Sequence, residues 1–109
     1  MEERRNAGEH DGAELYGVWQ NTVAGDGNRR FTFGRAHAGK VPCNRVYETV
    51  HDVGTCALQS GGRFVFTIRG AEDDPETWRY RRSGADLLLN DMRFVAVAGA
   101  DVDAELAAD

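Results

Sequence analysis

Cysteine, lysine and isoleucine are scarce in this 109-residue chain: Cys43 and Cys56, Lys40, and Ile68 are the whole of those three types. Two cysteines cannot build the disulfide framework of a small secreted domain, so a pair of free thiols is expected. The positive charge comes almost entirely from arginine, which reads with the Ala, Gly, Asp and Val bias as a GC-rich coding sequence rather than as chemistry. Positive charge is also outweighed, the formal net charge being −5. That balance argues against nucleic acid as a partner, because phosphate binding draws on a basic surface. No apolar run approaches the length of a membrane span, and the opening MEERRNAGEHDG has no apolar signal core. A cytoplasmic protein without a membrane partner is the expectation. Ligand-like spacing is missing too: His10 and His37 stand in segments without periodicity, and the acidic GAEDDP loop at 70–75 lacks the spaced oxygens of a calcium site. No metal or cofactor is expected.

What the chain does hold is a series of short, alternating, β-branched and aromatic runs. A single domain is expected at 14–98, after a disordered charged leader at 1–13 and before an Ala-rich acidic tail at 99–109. In that tail Asp101 is placed to cap a short helix carrying Val102 and Leu106 on one side, with fraying as the alternative. ELYGVWQNT, at 14–22, reads as the first strand, with Leu15, Gly17 and Trp19 on one face. A glycine two residues before an indole implies close backbone approach, the ring covering one end of a core. After the Gly25-Asp26-Gly27-Asn28 turn, RRFTFGR points Phe31 and Phe33 inward. AHAGKVPCN, at 36–44, reads as a link, either a surface loop or a flap over one end.

The stretch from Arg45 to Arg69 reads as an antiparallel meander of three runs divided by Val53-Gly54 and Ser60-Gly61-Gly62. A two-residue turn at Val53-Gly54 sets His51 opposite Cys56 and Thr49 opposite Leu58. For the second turn, a three-residue loop with a left-handed glycine sets Leu58 opposite Phe64 and Cys56 opposite Phe66. One face then carries Tyr47, Thr49, His51, Cys56, Leu58, Phe64, Phe66 and Ile68. A Gly61-Gly62 loop would instead put the phenylalanines with Glu48 and Gln59. The first register is favoured because it groups Leu58 and Cys56 with the rings.

ETWRYRR is the next strand, and a Ser83-Gly84 turn places Tyr80 opposite Leu87, Trp78 opposite Leu89 and Arg81 opposite Asp86. Asn90-Asp91 suits a two-residue turn with positive φ, setting Leu89 against Met92 and Leu87 against Phe94. Counting the runs gives eight strands joined mainly by hairpins. Such a meander has costly free edges unless it closes, so the expected fold is all-β, a small eight-stranded antiparallel up-and-down barrel.

The tripeptide Gly17-Val18-Trp19 resembles the G-x-W motif of the lipocalin-like calycins, and GTCALQSGGRFVF with WRYRRSGADLLLND looks like the second half of compact bacterial lipocalin-like domains. The resemblance spans residues 14–98 and implies a small apolar or amphipathic ligand held inside the barrel. In that family an arginine near the last strand packs on the motif tryptophan; the nearest one here, Arg93, falls on the outer face by alternation. The candidate lining is Trp19, Phe33, Tyr47, Thr49, His51, Cys56, Leu58, Phe64, Phe66, Trp78, Tyr80, Leu87 and Phe94, with simple filling of a small core as the alternative. A second reading is a cofactor-free cyclase or isomerase. There His51 would serve as base and Tyr47 as donor to an oxyanion, or Glu48 with Gln59 in the other register. A His51–Cys56 dyad lacks an orienting third group. A third reading is an interaction module, its outer arginines Arg79, Arg81 and Arg93 facing an acidic partner and Leu88, Val95 and Val97 a second copy in a homodimer.

Overall fold

The computed structural model describes residues 13–21 and 29–107. The leader, His10 and the Gly25–Asn28 turn lie outside the described residues. Eight strands follow in order: β1 (Gly17–Asn21), β2 (Arg30–Phe33), β3 (Lys40–Tyr47), β4 (Val50–Gln59), β5 (Arg63–Ile68), β6 (Glu76–Ser83), β7 (Asp86–Leu89) and β8 (Met92–Ala96). Each pairs antiparallel with the next, and β1 pairs with β8 through Trp19 with Ala96 and Asn21 with Phe94. The sheet is therefore the closed barrel that alternation and the edge argument predict, consistent with a calycin-like fold. Among the described residues no helix is long and apolar enough to cross a membrane.

Two turns form where their chemistry requires. Ser60-Gly61-Gly62 is a three-residue loop with Gly61 and Gly62 at φ of 83° and 73°, so Leu58 faces Phe64 and Cys56 faces Phe66. Asn90 and Asp91 take φ of 51° and 69°, and Leu89 meets Met92.

The other two expected turns shift. Between β6 and β7 the turn is Gly84-Ala85, so Tyr80 opposes Leu89, Arg81 opposes Leu88 and Ser83 opposes Asp86. The slide changes partners by two positions, which keeps every residue on its face. The expected Arg81–Asp86 pair is thus replaced by Arg93–Asp86 at 2.6 Å. The larger correction concerns Val53-Gly54, which is not a turn. The chain reverses at Glu48-Thr49, with Glu48 at φ 53°, and β4 runs straight through Gly54. A Cβ on Gly54 would overlap the carbonyl oxygen of Thr67, so this glycine permits close approach of β4 to β5.

Half of the expected 36–44 link is consequently strand β3. Pro42 is tolerated there because its carbonyl turns toward Gly34, just past the end of β2, accepting that residue's N–H at 2.8 Å. Its missing donor faces the same side, where the ladder has stopped. What remains of the link is the tight His37–Lys40 turn, with His37 exposed.

A short helix, α1 (Val102–Ala107), begins with Ala104 donating to the Asp101 carboxylate at 3.2 Å, the cap its sequence suggests. It lies on the outside of β1–β3. There Val18, Thr32 and Asn44 are buried although they point away from the interior. Asn44 donates to the Glu105 and Leu106 carbonyls at 3.0 and 3.4 Å, and Arg30 pairs with Glu105 at 3.2 Å.

Candidate functional site

The inward-facing residues sort along the barrel axis by polarity. At one end Trp19 donates its indole N–H to the Leu15 carbonyl at 2.8 Å, with Gly17 at φ 138° beneath the ring. That φ is one an L side chain rarely adopts, which is why a glycine stands two residues before this tryptophan; a Cβ there would make only ordinary contact with the indole nitrogen, at 3.4 Å. Arg82 lies over the same ring at 5.2 Å and donates to the Glu14, Gly84 and Asp86 carbonyls, covering this end. The arginine on Trp19 is therefore Arg82 of β6, not one near the last strand. The middle is a ring stack: Phe33 meets Phe31 and Phe64 at 5.6 Å each, Phe31 meets Phe94 at 5.5 Å, and Phe64 meets Tyr80 at 5.9 Å. Rings in such contact leave no room for a guest among them.

The polar groups gather at the opposite end, where β1 and β3 finish and β4 and β6 begin. Arg45 sits on the inner face in series with Val41, Cys43 and Tyr47, directly opposite Asp52. Its Nε and Nη2 donate to Asp52 Oδ2 at 3.0 and 2.6 Å. Its Nη1 and Nη2 form a fork onto Glu76 Oε1 and Oε2 at 2.6 and 3.1 Å. Glu76 Oε1 also accepts the Trp78 indole N–H at 2.9 Å. The Arg45 side chain is 8% exposed, Asp52 18% and Glu76 37%, so the cluster grades from buried to wet. The guanidinium lies over Phe66 at 5.3 Å, Tyr47 at 5.7 Å and Phe31 at 6.0 Å. Arg29 also lies over the Tyr47 ring, at 5.3 Å. Phe31 and Trp78, edge to face at 5.3 Å, close the floor.

The charges are mutually fixed. Burial would lower Arg45, but its hydrogen bonds to Glu76 and Asp52 outweigh that and raise it, so it stays a cation. Arg45 in turn holds the Glu76 carboxyl below its ordinary value, against the opposing effect of burial and with help from Trp78. Across the mouth, alternation puts Asn21 on the face of Trp19. Asn21 donates to the Arg93 carbonyl at 3.1 Å, while its own buried amide oxygen has no partner among the described residues.

This placement redistributes the residues expected to form the site. Trp19, Phe33, Leu58, Phe64, Tyr80 and Leu87 pack the middle and the covered end, with Cys56 beside Phe66. Tyr47, Phe66 and Trp78 reach the mouth, with Phe94 beneath Asn21. His51, Glu48 and Thr49 do not join them. His51 is exposed on the outer face opposite Val46, and Glu48 and Thr49 form the exposed turn. Residues opposite each other across a hairpin share a face, whereas residues five apart along one strand do not. Once β4 runs through Gly54, His51 and Cys56 stand on opposite faces. Gln59 is exposed at the far end of β4, away from Glu48. Arg45, Asp52, Glu76 and Asn21 are absent from the sequence-derived site; the readable signal for Arg45 was its alternation with Val41, Cys43 and Tyr47. On the outer face Arg79 and Arg93 are paired with Asp91 and Asp86.

Set against protein-family models, curated proteins and solved structures, the chain matches none of them.

Proposed function

We propose that the mouth of the barrel binds a small amphipathic organic molecule, its polar group on the Arg45–Asp52–Glu76 cluster and its apolar part on Tyr47, Phe66 and Trp78. The carrying observation is that the ion-paired side chains Arg45, Asp52 and Glu76 gather beside aromatic rings at one end of the interior, whereas the inward-facing charge at the other end, Arg82, is spent on the Trp19 ring and backbone carbonyls. Partly buried ion pairs return little net stability against well-packed hydrophobic residues. Their concentration beside aromatic rings at the mouth fits recognition better than it fits holding the barrel together. Gly17 at positive φ two residues before the buried Trp19, together with the closed topology, supports the lipocalin-like reading. The stacked phenylalanines favour the mouth over the middle of the barrel as the place for such a ligand.

The cyclase or isomerase reading has less behind it. Its base, His51, is outside the barrel, and the carboxylate that replaces it in the mouth, Glu76, is held low and so is a weak base near neutrality.

N-phenyl-1-naphthylamine, a neutral amphipathic dye, tests binding directly. Its emission should rise saturably at one dye per chain, with the affinity falling about tenfold, roughly 1.4 kcal/mol, in Tyr47→Ala. A non-saturating signal, or an affinity unchanged from the parent in both Tyr47→Ala and Glu76→Ala, would remove the mouth as the site.

A further inference from the structure

Cys43 and Cys56 lie on the inner faces of neighbouring strands, one step diagonal in the register: Cys43 is opposite Gly54, and Cys56 opposite Val41. Both are fully buried, and their sulfur atoms are 2.6 Å apart. Two thiols on one face of an antiparallel pair, with converging sulfurs, have the side-chain approach that a cross-strand disulfide needs. Their position adds a consequence. Cys43 stands two residues before Arg45 on β3, and Cys56 four residues after Asp52 on β4, so the sulfurs lie directly beneath the Arg45–Asp52 ion pair.

We infer that Cys43 and Cys56 form an intramolecular disulfide when the chain folds in the presence of a small disulfide oxidant, fastening β3 to β4 under the mouth. With glutathione disulfide as oxidant, one cysteine thiolate attacks a glutathione sulfur. The S–S bond of the oxidant breaks, a mixed disulfide forms, and one glutathione leaves as thiol. The second cysteine thiolate attacks the protein-side sulfur of that mixed disulfide and expels the other glutathione. Two protein thiols lose two protons and two electrons, and the oxidant takes them up as two molecules of glutathione thiol.

Burial governs when this happens. In the folded barrel Cys56 is pushed well above the ordinary thiol value, first by desolvation and then by the neighbouring Cys43, so thiolate is scarce and no reagent reaches either sulfur. The bond therefore forms while the hairpin is assembling and is shielded from reductants afterwards.

The test uses the full chain, denatured and reduced, then refolded in a glutathione–glutathione disulfide buffer and quenched in acid. The expected product is a monomer lighter by two hydrogen atoms. Trypsin cuts after Lys40, Arg45 and Arg63, so without reduction it should yield peptide 41–45 joined to peptide 46–63. The unfolding midpoint should be higher than that of protein refolded under reductant, a difference absent in Cys43→Ala. Folded protein whose cysteines both alkylate after denaturation overturns the inference. So does protein that carries glutathione on either cysteine, or in which the link joins two chains. Cys56→Ala serves as the second control should Cys43→Ala fail to fold: it must give no cross-linked monomer.

Discussion

Arg45 and Glu76 sit on strands that are not neighbours, β3 and β6, yet their side chains meet at 2.6 Å across the barrel interior. Two intervening strands curl so that this contact closes over Phe66, the register partner of Glu76. Removing the cation alone leaves two carboxylates without their counter-charge. Arg45→Ala should cost about 2–4 kcal/mol, the cost of breaking a buried pair discounted for the part-exposed Glu76. Urea unfolding at neutral pH measures it. Arg45→Met combined with Asp52→Asn and Glu76→Gln should recover most of the loss, and a triple variant as unstable as Arg45→Ala would contradict the charge explanation.

Stability should also respond to acid through Glu76. Its folded pKa is depressed, chiefly by Arg45, so the folded state holds the proton less tightly than the unfolded chain. The contribution is fully present above the ordinary glutamate range and is lost as pH falls through that range toward the depressed value. Thermal unfolding followed from neutral pH down to mildly acidic pH should show a flatter decline in Glu76→Gln than in the parent. Parallel curves would show that Glu76 is not the group responsible.

Arg82 over Trp19 predicts a local effect at the covered end. Arg82→Ala should destabilise by about 1 kcal/mol, the scale of an exposed cation–π contact with its backbone hydrogen bonds. In a Trp78→Phe background, where Trp19 is the remaining tryptophan, the emission should shift to the red as the indole becomes wetter. Unaltered emission would mean that Arg82 does not shield the ring.

Gly54 and Gly39 separate two reasons for glycine. At Gly54 an added methyl group collides with the Thr67 carbonyl, so Gly54→Ala should cost more than about 2 kcal/mol or prevent closure of the sheet. At Gly39, with φ 79° and open space around it, Gly39→Ala should cost only the left-handed backbone strain, about 1–2 kcal/mol. Similar losses at both positions would argue against close strand approach at Gly54.

Much of the barrel was legible from local chemistry. Asn90-Asp91 has few alternatives, because positive φ is cheap only for such residues, whereas Ser60-Gly61-Gly62 left two registers open, of which the favoured one, grouping Leu58 and Cys56 with the rings, is the one that forms. The slide at Gly84-Ala85 did no harm because it preserved parity. The candidate site was less legible, since it depended on whether Val53-Gly54 was a turn or a stretch of strand. Both readings satisfy local propensity.

By itself, then, the chain's own pattern determined an all-β meander that must close and which rings face inward. The tertiary structure decided what Gly54 is for, because only the neighbouring Thr67 carbonyl makes a side chain there impossible. With β4 running through Gly54, the reversal falls at Glu48-Thr49, His51 faces outward and Arg45 stands opposite Asp52. The Arg45–Glu76 contact joins strands distant in sequence and has no local signature, and the Arg45–Asp52 pair becomes readable only once the reversal is placed at Glu48-Thr49.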